Sequence, residues 1–323
     1  MVNWSNYKVV ILILCLASLF SFNKEKWGFT GHKQINRIAV FTLPSELIGF
    51  YKTYIDFITD HSVDPDKRRH SVKFEAPKHY IDLEFYCSNF PENFDSIPKK
   101  WKDAVSKYSE DSLYSYGIVP WHVSLMKYKL QKAFEAKNNN EILKISSDIG
   151  HYIADAHVPL HTTKNYNGQL SNQKGIHSLW ESRLVETYLH DMRLFTGKAF
   201  YIQDVSSFIW KAVYTSHLAL DSVFKFEKEC SKNVGQTNKY TIENRGRNTV
   251  KTYSKDFTNC YYEKLDGMVE RRLKASIIAV GSIWYTAWID AGQPSLNPNV
   301  KLKIQDKEEE QHIISTHKIR NCD

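Results

Sequence analysis

The stretch from Gly150 to Leu184 holds His151, His157, His161 and His177, four of the chain's 13 histidines, with Asp155 and Glu181 among them. His151 and Asp155 stand four residues apart, and so do His177 and Glu181. On a helix, positions i and i+4 share a face, with Cβ atoms about 5–6 Å apart. Two such pairs can grip one cation or two neighbouring ones. His161 follows Pro159, where a turn can bring it back over the same face. Imidazole together with carboxylate suits divalent zinc, and no thiolate is needed. The competing explanation is a solvated helix face or a buried hydrogen-bond network. One His-x-x-x-Asp pair is a common accident; two pairs with an acid at the fourth position point further toward metal. His122, in "YGIVPWHV", reads as a packing or capping residue.

Helices are needed to carry these pairs, and helical patterning dominates the chain. "HKQINRIAVFTL" places apolar residues at helical spacing. "PSELIGFYKTYIDFITDHSV" opens on Pro44 and Ser45, a helix-start signature. "VPWHVSLMKYKLQKAFEA" starts a further helix. "EILKISSDIGHYIADAH" runs on toward Pro159, before which a helix must end. "GIHSLWESRLVETYLHDM", "VSSFIWKAVYTSHLALDSVF" and "ERRLKASIIAVGSIWYTAWIDA" follow. Alternating strand patterns are scarce. Loops are expected around Pro65–Pro77, Ser88–Lys99, Lys164–Gly175 and Lys232–Asn248. No internal repeat stands out. The expectation is an all-α chain with a single mostly helical domain over residues 27–298, followed by a polar tail at 299–323.

A chain of 323 residues can bury a large core. Its formal net charge of +7 suits an anionic partner such as nucleic acid, lipid headgroups or a phosphorylated substrate, although no long Lys/Arg run concentrates that charge. The N-terminus has one lysine and then an apolar run from Val9 to Phe22. The run falls short of the roughly 20 residues that span a bilayer. Residues 1–26 therefore read as a signal peptide with a short segment before Trp27, and the protein as exported, periplasmic or extracellular. Cys87, Cys230, Cys260 and Cys322 remain; four cysteines allow three pairings, and none has the CxxC spacing of a thiolate zinc site.

"HYIADAHVPLH" and "IHSLWE" resemble the core of the zinc-dependent phospholipase C and S1/P1 nuclease superfamily. Its pattern reads His-x-x-x-Asp-x-x-x-Pro-(Leu/Met)-His, then a loop, then His-Ser-x-x-(Glu/Asp). "WGFTGH", "SVDPDKRR" and "KHYIDLE" match further elements in the same order, so the likeness runs from Trp27 to Glu181. The resemblance implies a cluster of three zinc ions. Asp64, His79 and His151 would hold one, with Asp155 bridging to a neighbour completed by Trp27 and His32. His161, His177 and Glu181 would hold the third. Asp60 and Asp66 rival Asp64, whose separation from His79 fits the pattern best. His157 matches no ligand position. In the family the tryptophan is the mature N-terminus and binds zinc through its free amine; here Lys24-Glu25-Lys26 precedes Trp27.

The implied activity is hydrolysis of P–O bonds by a zinc-activated water, with Asp64 as the catalytic carboxylate. Glu181 and the short loop after His161 resemble the phospholipase C branch, so a secreted phospholipase C-like phosphodiesterase is the first expectation. "WGFTGH" and "HYIDLE" resemble the nuclease branch, which would cast Tyr80 and Asp82 as base contacts on single-stranded nucleic acid. Their plainer roles are packing for Tyr80 and ligand orientation or capping for Asp82. A non-catalytic zinc-binding surface protein is the remaining alternative. No stable protein partner is expected, and the chain is expected to be a monomer.

Overall fold

The structure, a computed structural model, describes residues 29–298 except 246 and 247. The expected signal peptide (1–26), Trp27, Cys322 and the polar tail (299–323) lie outside the described residues.

Helices account for nearly all of the architecture. In chain order they are α1 (Phe29–Ala39), α2 (Ser45–Thr53), α3 (Ile55–Asp60), α4 (Asp64–Arg68), α5 (Leu83–Tyr86), α6 (Trp101–Tyr108), α7 (Glu110–Tyr116), α8 (Val119–Glu135) and α9 (Asn139–Ala156). After a long irregular stretch come α10 (Leu184–Tyr188), α11 (Val205–Leu218), α12 (Leu220–Val234), α13 (Lys255–Lys264) and α14 (Met268–Asp290). Two expected helices are each divided. The "PSELIG…" helix breaks at Tyr54, whose φ of −109° and ψ of 25° leave the helical region. The "VSSFIW…" helix breaks at Ala219. Two expected loops contain structure: most of α4 lies in the first, and all of strand β1 (Tyr240–Arg245) lies in the last. β1 pairs antiparallel with β2 (Asn248–Tyr253), Tyr240 opposite Tyr253. No helix among the described residues is long and apolar enough to cross a membrane.

α9 runs through the middle of the molecule and packs against α8, α14 and α1. The Asn138 side chain caps its start by accepting from Glu141 N–H, and Glu141 faces the positive end of the helix dipole. It stops at Ala156, two residues short of the one before Pro159. Ile142, Leu143, Ile149 and Ile153 form its apolar stripe. Ser146, Ser147, Asp148, His151 and Asp155 are buried as well. α14 closes over α9: Trp284 stacks on Tyr51 with centroids 4.8 Å apart, and its Nε1–H donates to Ser146 O at 3.1 Å. Burying an aromatic side chain of this kind is worth about 2–3 kcal/mol. The Cys230–Cys260 disulfide joins α12 to α13 across the base of the hairpin, while Cys87 is a buried free thiol.

The contact between α1 and α9 matters most for the site. A Cβ at Gly150 would fall 2.0 Å from Asn36 Oδ1, and Asn36 is held in place by donating to Ser147 O at 3.0 Å. The missing side chain lets α1 approach closely enough for His32 to stack on His151, centroids 3.9 Å apart. Gly150→Ala should therefore cost about 1–3 kcal/mol in denaturant unfolding through overpacking. Gly49→Ala, in α2 with nothing within 4 Å, should be neutral or stabilising by up to about 1 kcal/mol.

Candidate metal centre

Six segments bring eight side chains to one place. α1 supplies His32, α4 supplies Asp66, and the 3-10 turn Ala76–His79 supplies His79. α9 supplies His151 and Asp155, and the turn Pro159–Thr162 supplies His161. His177 leads into a π-helical turn, Ser178–Arg183, that carries Glu181. Such widened turns recur at functional sites.

Asp155 sits at the middle. One carboxylate oxygen lies 2.9 Å from His79 Nδ1 and 3.4 Å from His151 Nε2; the other lies 3.6 Å from His32 Nε2 and 3.9 Å from His161 Nδ1. Glu181 stands 2.7 Å from His177 Nε2, 3.2 Å from His161 Nε2 and 3.3 Å from His32 Nε2. Asp66 lies 3.5 Å from His151 Nε2 and 3.7 Å from His79 Nδ1. Four overlapping donor sets result: His32, Asp66, His151; His79, His151, Asp155; His161, His177, Glu181; and His32, Asp155, Glu181. Within each set the donor atoms lie within 4.8 Å of one another.

The rings are aimed by the backbone. His151 Nδ1–H donates to Ser62 O at 2.9 Å, His161 Nδ1–H to His79 O at 2.5 Å, and His177 Nδ1–H to Tyr166 O at 3.2 Å. In the neutral ring each such bond leaves an Nε2 lone pair directed at the carboxylates, the arrangement a metal-ligating histidine adopts. His32 Nδ1 and His79 Nε2 are buried without a hydrogen-bond partner among the described residues.

The charge balance tests whether cations fit here. Burial opposes ionisation of Asp66, Asp155 and Glu181, yet the rings around them hold all three carboxyls below the usual range. Burial likewise opposes charge on His151 and His161, but the neighbouring carboxylates push both upward. Burial takes His79 down to about 4 and lowers His177. Three clustered carboxylates, Asp155 buried and Asp66 and Glu181 half-buried, thus call for positive charge, as protons on His151 and His161 or as divalent cations held by the lone pairs. The nitrogen and oxygen donor set fits zinc.

Most of the sequence-derived residues meet here: His32, His79, His151, Asp155, His161, His177 and Glu181. Asp64 does not. It faces away, bonded to His61 Nδ1 at 2.5 Å and Lys67 Nζ at 2.7 Å. Asp66 takes its expected place. α4 begins at Asp64 with Pro65 in its first turn, and two steps along a helix turn a side chain by about 200°, so Asp64 and Asp66 point to opposite sides. Asp60 also points elsewhere, to Lys33 at 3.2 Å. Trp27 lies outside the described residues.

Tyr80 and Asp82 are both buried beside the centre. The Tyr80 backbone and ring crowd Gly117, where a Cβ would come within 2.3 Å of Tyr80 O. Tyr80 therefore packs rather than presenting its ring to solvent. Asp82 stands before α5, whose N–H groups its side chain does not cap. Just beyond them the sequence reading missed a stacked pair: Phe85 and Tyr116, each 38% exposed, rings 3.7 Å apart and 8° from parallel. Only the fold brings them together, by pairing Asp82 N–H with Tyr116 O at 2.7 Å.

His157 is not part of the cluster. Its Nδ1–H donates to Ile153 O at 2.7 Å, and burial lowers it to about 4. The unfolded imidazole takes a proton near pH 6.5, the native one only near 4. The unfolded state therefore binds more protons between these values, and stability is lost as pH falls through this window. In chelator-treated protein, wild type should lose about 2 kcal/mol more than His157→Gln between pH 7 and 4.5. Chemical denaturation at the two pH values measures the difference.

The family model described as S1/P1 Nuclease matches residues 27–278. No curated protein matches the chain. Among solved structures, alpha-toxin of Clostridium perfringens, isolated from an avian strain, is similar at a TM-score of 0.49 and 12% identity. That match covers 83% of this chain and 65% of the toxin chain, so the chain spans slightly less than two thirds of the toxin's length.

Proposed function

The chain belongs to the S1/P1 nuclease family, a phosphodiester-hydrolysing enzyme family, and from that premise we propose that it is a zinc-dependent nuclease acting on single-stranded nucleic acid. The observation that carries the reading is the buried ring of His32, His79, His151, His161 and His177 around Asp66, Asp155 and Glu181. Zinc bound there supplies positive charge that activates water and steadies charge developing on phosphorus. The chain's own residues do the rest. Asp155 and Glu181 hold the histidines in register. Asp66, with its side chain 25% exposed against 17% for Glu181 and 1% for Asp155, is the most solvent-accessible of the three acids and orients the attacking water by accepting a hydrogen bond from it.

Phe85 and Tyr116 favour a nucleic-acid substrate. Exposed, parallel rings beside the centre are platforms on which bases stack, each stack being worth about 1–3 kcal/mol. The formal charge of +7 suits a polyanion. A second reading, a phospholipase C-like activity, rests on Glu181 standing where the nuclease branch has Asp. The apolar N-terminal run supports export. Release of nucleotides from single-stranded DNA against release of diacylglycerol from phosphatidylcholine vesicles separates the two substrates. The nuclease reading predicts nucleotide release, lowered about tenfold or more in Phe85→Ala/Tyr116→Ala. Diacylglycerol release alone would transfer the assignment to lipid.

A further inference from the structure

Behind the metal centre lies a second buried polar layer that the proposed chemistry does not use. Arg68 makes a two-pronged contact with Asp148, Nη1 to Oδ1 at 3.2 Å and Nη2 to Oδ2 at 2.9 Å. Its Nε lies 3.1 Å from Glu75, and its Nη2–H also donates to the Tyr152 hydroxyl at 3.0 Å. The Tyr152 O–H in turn donates to Glu75, which accepts from Lys78 as well at 2.6 Å. The layer balances its own charge: Arg68 and Lys78 against Glu75 and Asp148.

Its members hold a regular relation to the metal ligands. Arg68 stands two residues after Asp66 on α4. Glu75 and Lys78 stand four and one before His79. Asp148 and Tyr152 stand three before and one after His151 on α9. Each of the three segments that converge on the Asp66 side of the cluster is therefore tied to the other two directly behind its ligand. The Tyr152 ring also braces the ligands physically, edge-on to His79 at 5.3 Å and to His151 at 5.7 Å between centroids.

Such a network is a poor way to gain stability. Buried ion pairs contribute little net free energy against well-packed apolar side chains of similar volume. What it does supply is fixed geometry, because every donor and acceptor is directional. Partners lying behind metal ligands typically tune metal affinity by about 10–100-fold.

We propose that the Arg68–Glu75–Asp148–Tyr152 network is a positioning device that sets the geometry of Asp66, His79 and His151 and thereby the affinity of the centre for zinc. This rests on the metal reading of the cluster given above.

The test uses zinc alone, with affinity read by competition against a chromophoric chelator on the folded protein. Tyr152→Phe removes one hydroxyl and keeps the ring; Arg68→Gln removes the charge that links all three segments. Both should weaken zinc binding about tenfold or more. Val223→Ala, in the core of α12, which carries no ligand, should lower stability and leave zinc affinity unchanged. If Arg68→Gln does not fold, Tyr152→Phe decides alone. Variants that bind zinc as tightly as wild type would overturn the proposal and leave the metal centre standing. Wild type that binds no zinc would overturn the metal reading itself, before any variant is compared.

Discussion

Asp155→Ala should lower kcat/KM for phosphodiester cleavage by at least about a thousandfold, equivalent to about 4 kcal/mol of transition-state stabilisation. No other carboxylate in the centre faces as many histidines. Its two oxygens face four histidines drawn from α1, α9 and two separate turns. Removing the carboxylate deprives two of the overlapping donor sets of their shared acid. It also leaves His79 and His151, whose ring nitrogens stand 3.0 Å apart, without the carboxylate oxygen that both face. The lost electrostatic contribution is the one a metal-assisted reaction depends on most. Asp155→Asn keeps the shape but not the charge and should recover little of the rate. Steady-state kinetics on single-stranded DNA, together with the metal content of each variant, check both outcomes. Near-normal turnover in Asp155→Ala would remove this residue from the centre.

The second large effect separates two acids only two residues apart. Asp66→Asn should lower kcat by about a hundredfold or more, while Asp64→Asn should stay within about threefold of wild type. Asp66 lies against His79 and His151 and keeps partial access to solvent. Asp64 spends its carboxylate on His61 and Lys67, outside the ring of ligands. An ion pair of this exposed kind contributes about 0–1 kcal/mol, so its loss should scarcely affect folding. The reverse result, with Asp64→Asn inactive and Asp66→Asn active, would return the role to Asp64.

These two residues also show how far the sequence could be read. The pairs His151/Asp155 and His177/Glu181 were legible because i,i+4 spacing on a helix is a local property. His32 and His79 carry no such local pattern; the family likeness led to them. The choice of Asp64 over Asp66 failed because it rested on separation along the chain. The direction of each side chain is set instead by where α4 begins, at Asp64 with Pro65 in its first turn.

Fold class was readable from dominant helical spacing, but two kinds of detail were not. Breaks at Tyr54 and Ala219 interrupt runs whose apolar period continues across them, because tertiary packing redirects the chain there. The hairpin over Tyr240–Tyr253 was hidden in a polar stretch, although its β-branched residues around Gly246 are a usable signal. The Phe85–Tyr116 stack and the layer behind the ligands could not be foreseen. Their members are distant in sequence: the stack forms only when α5 and α7 come together, and the layer only when α4, α9 and the segment leading to His79 have packed.

We assign this ring of five histidines and three carboxylates as a zinc centre. Metal analysis of the purified protein by mass spectrometry tests that assignment. The expected content is about three zinc ions per chain, falling on Asp155→Ala substitution. Fewer than about two per chain in the wild-type protein would contradict it.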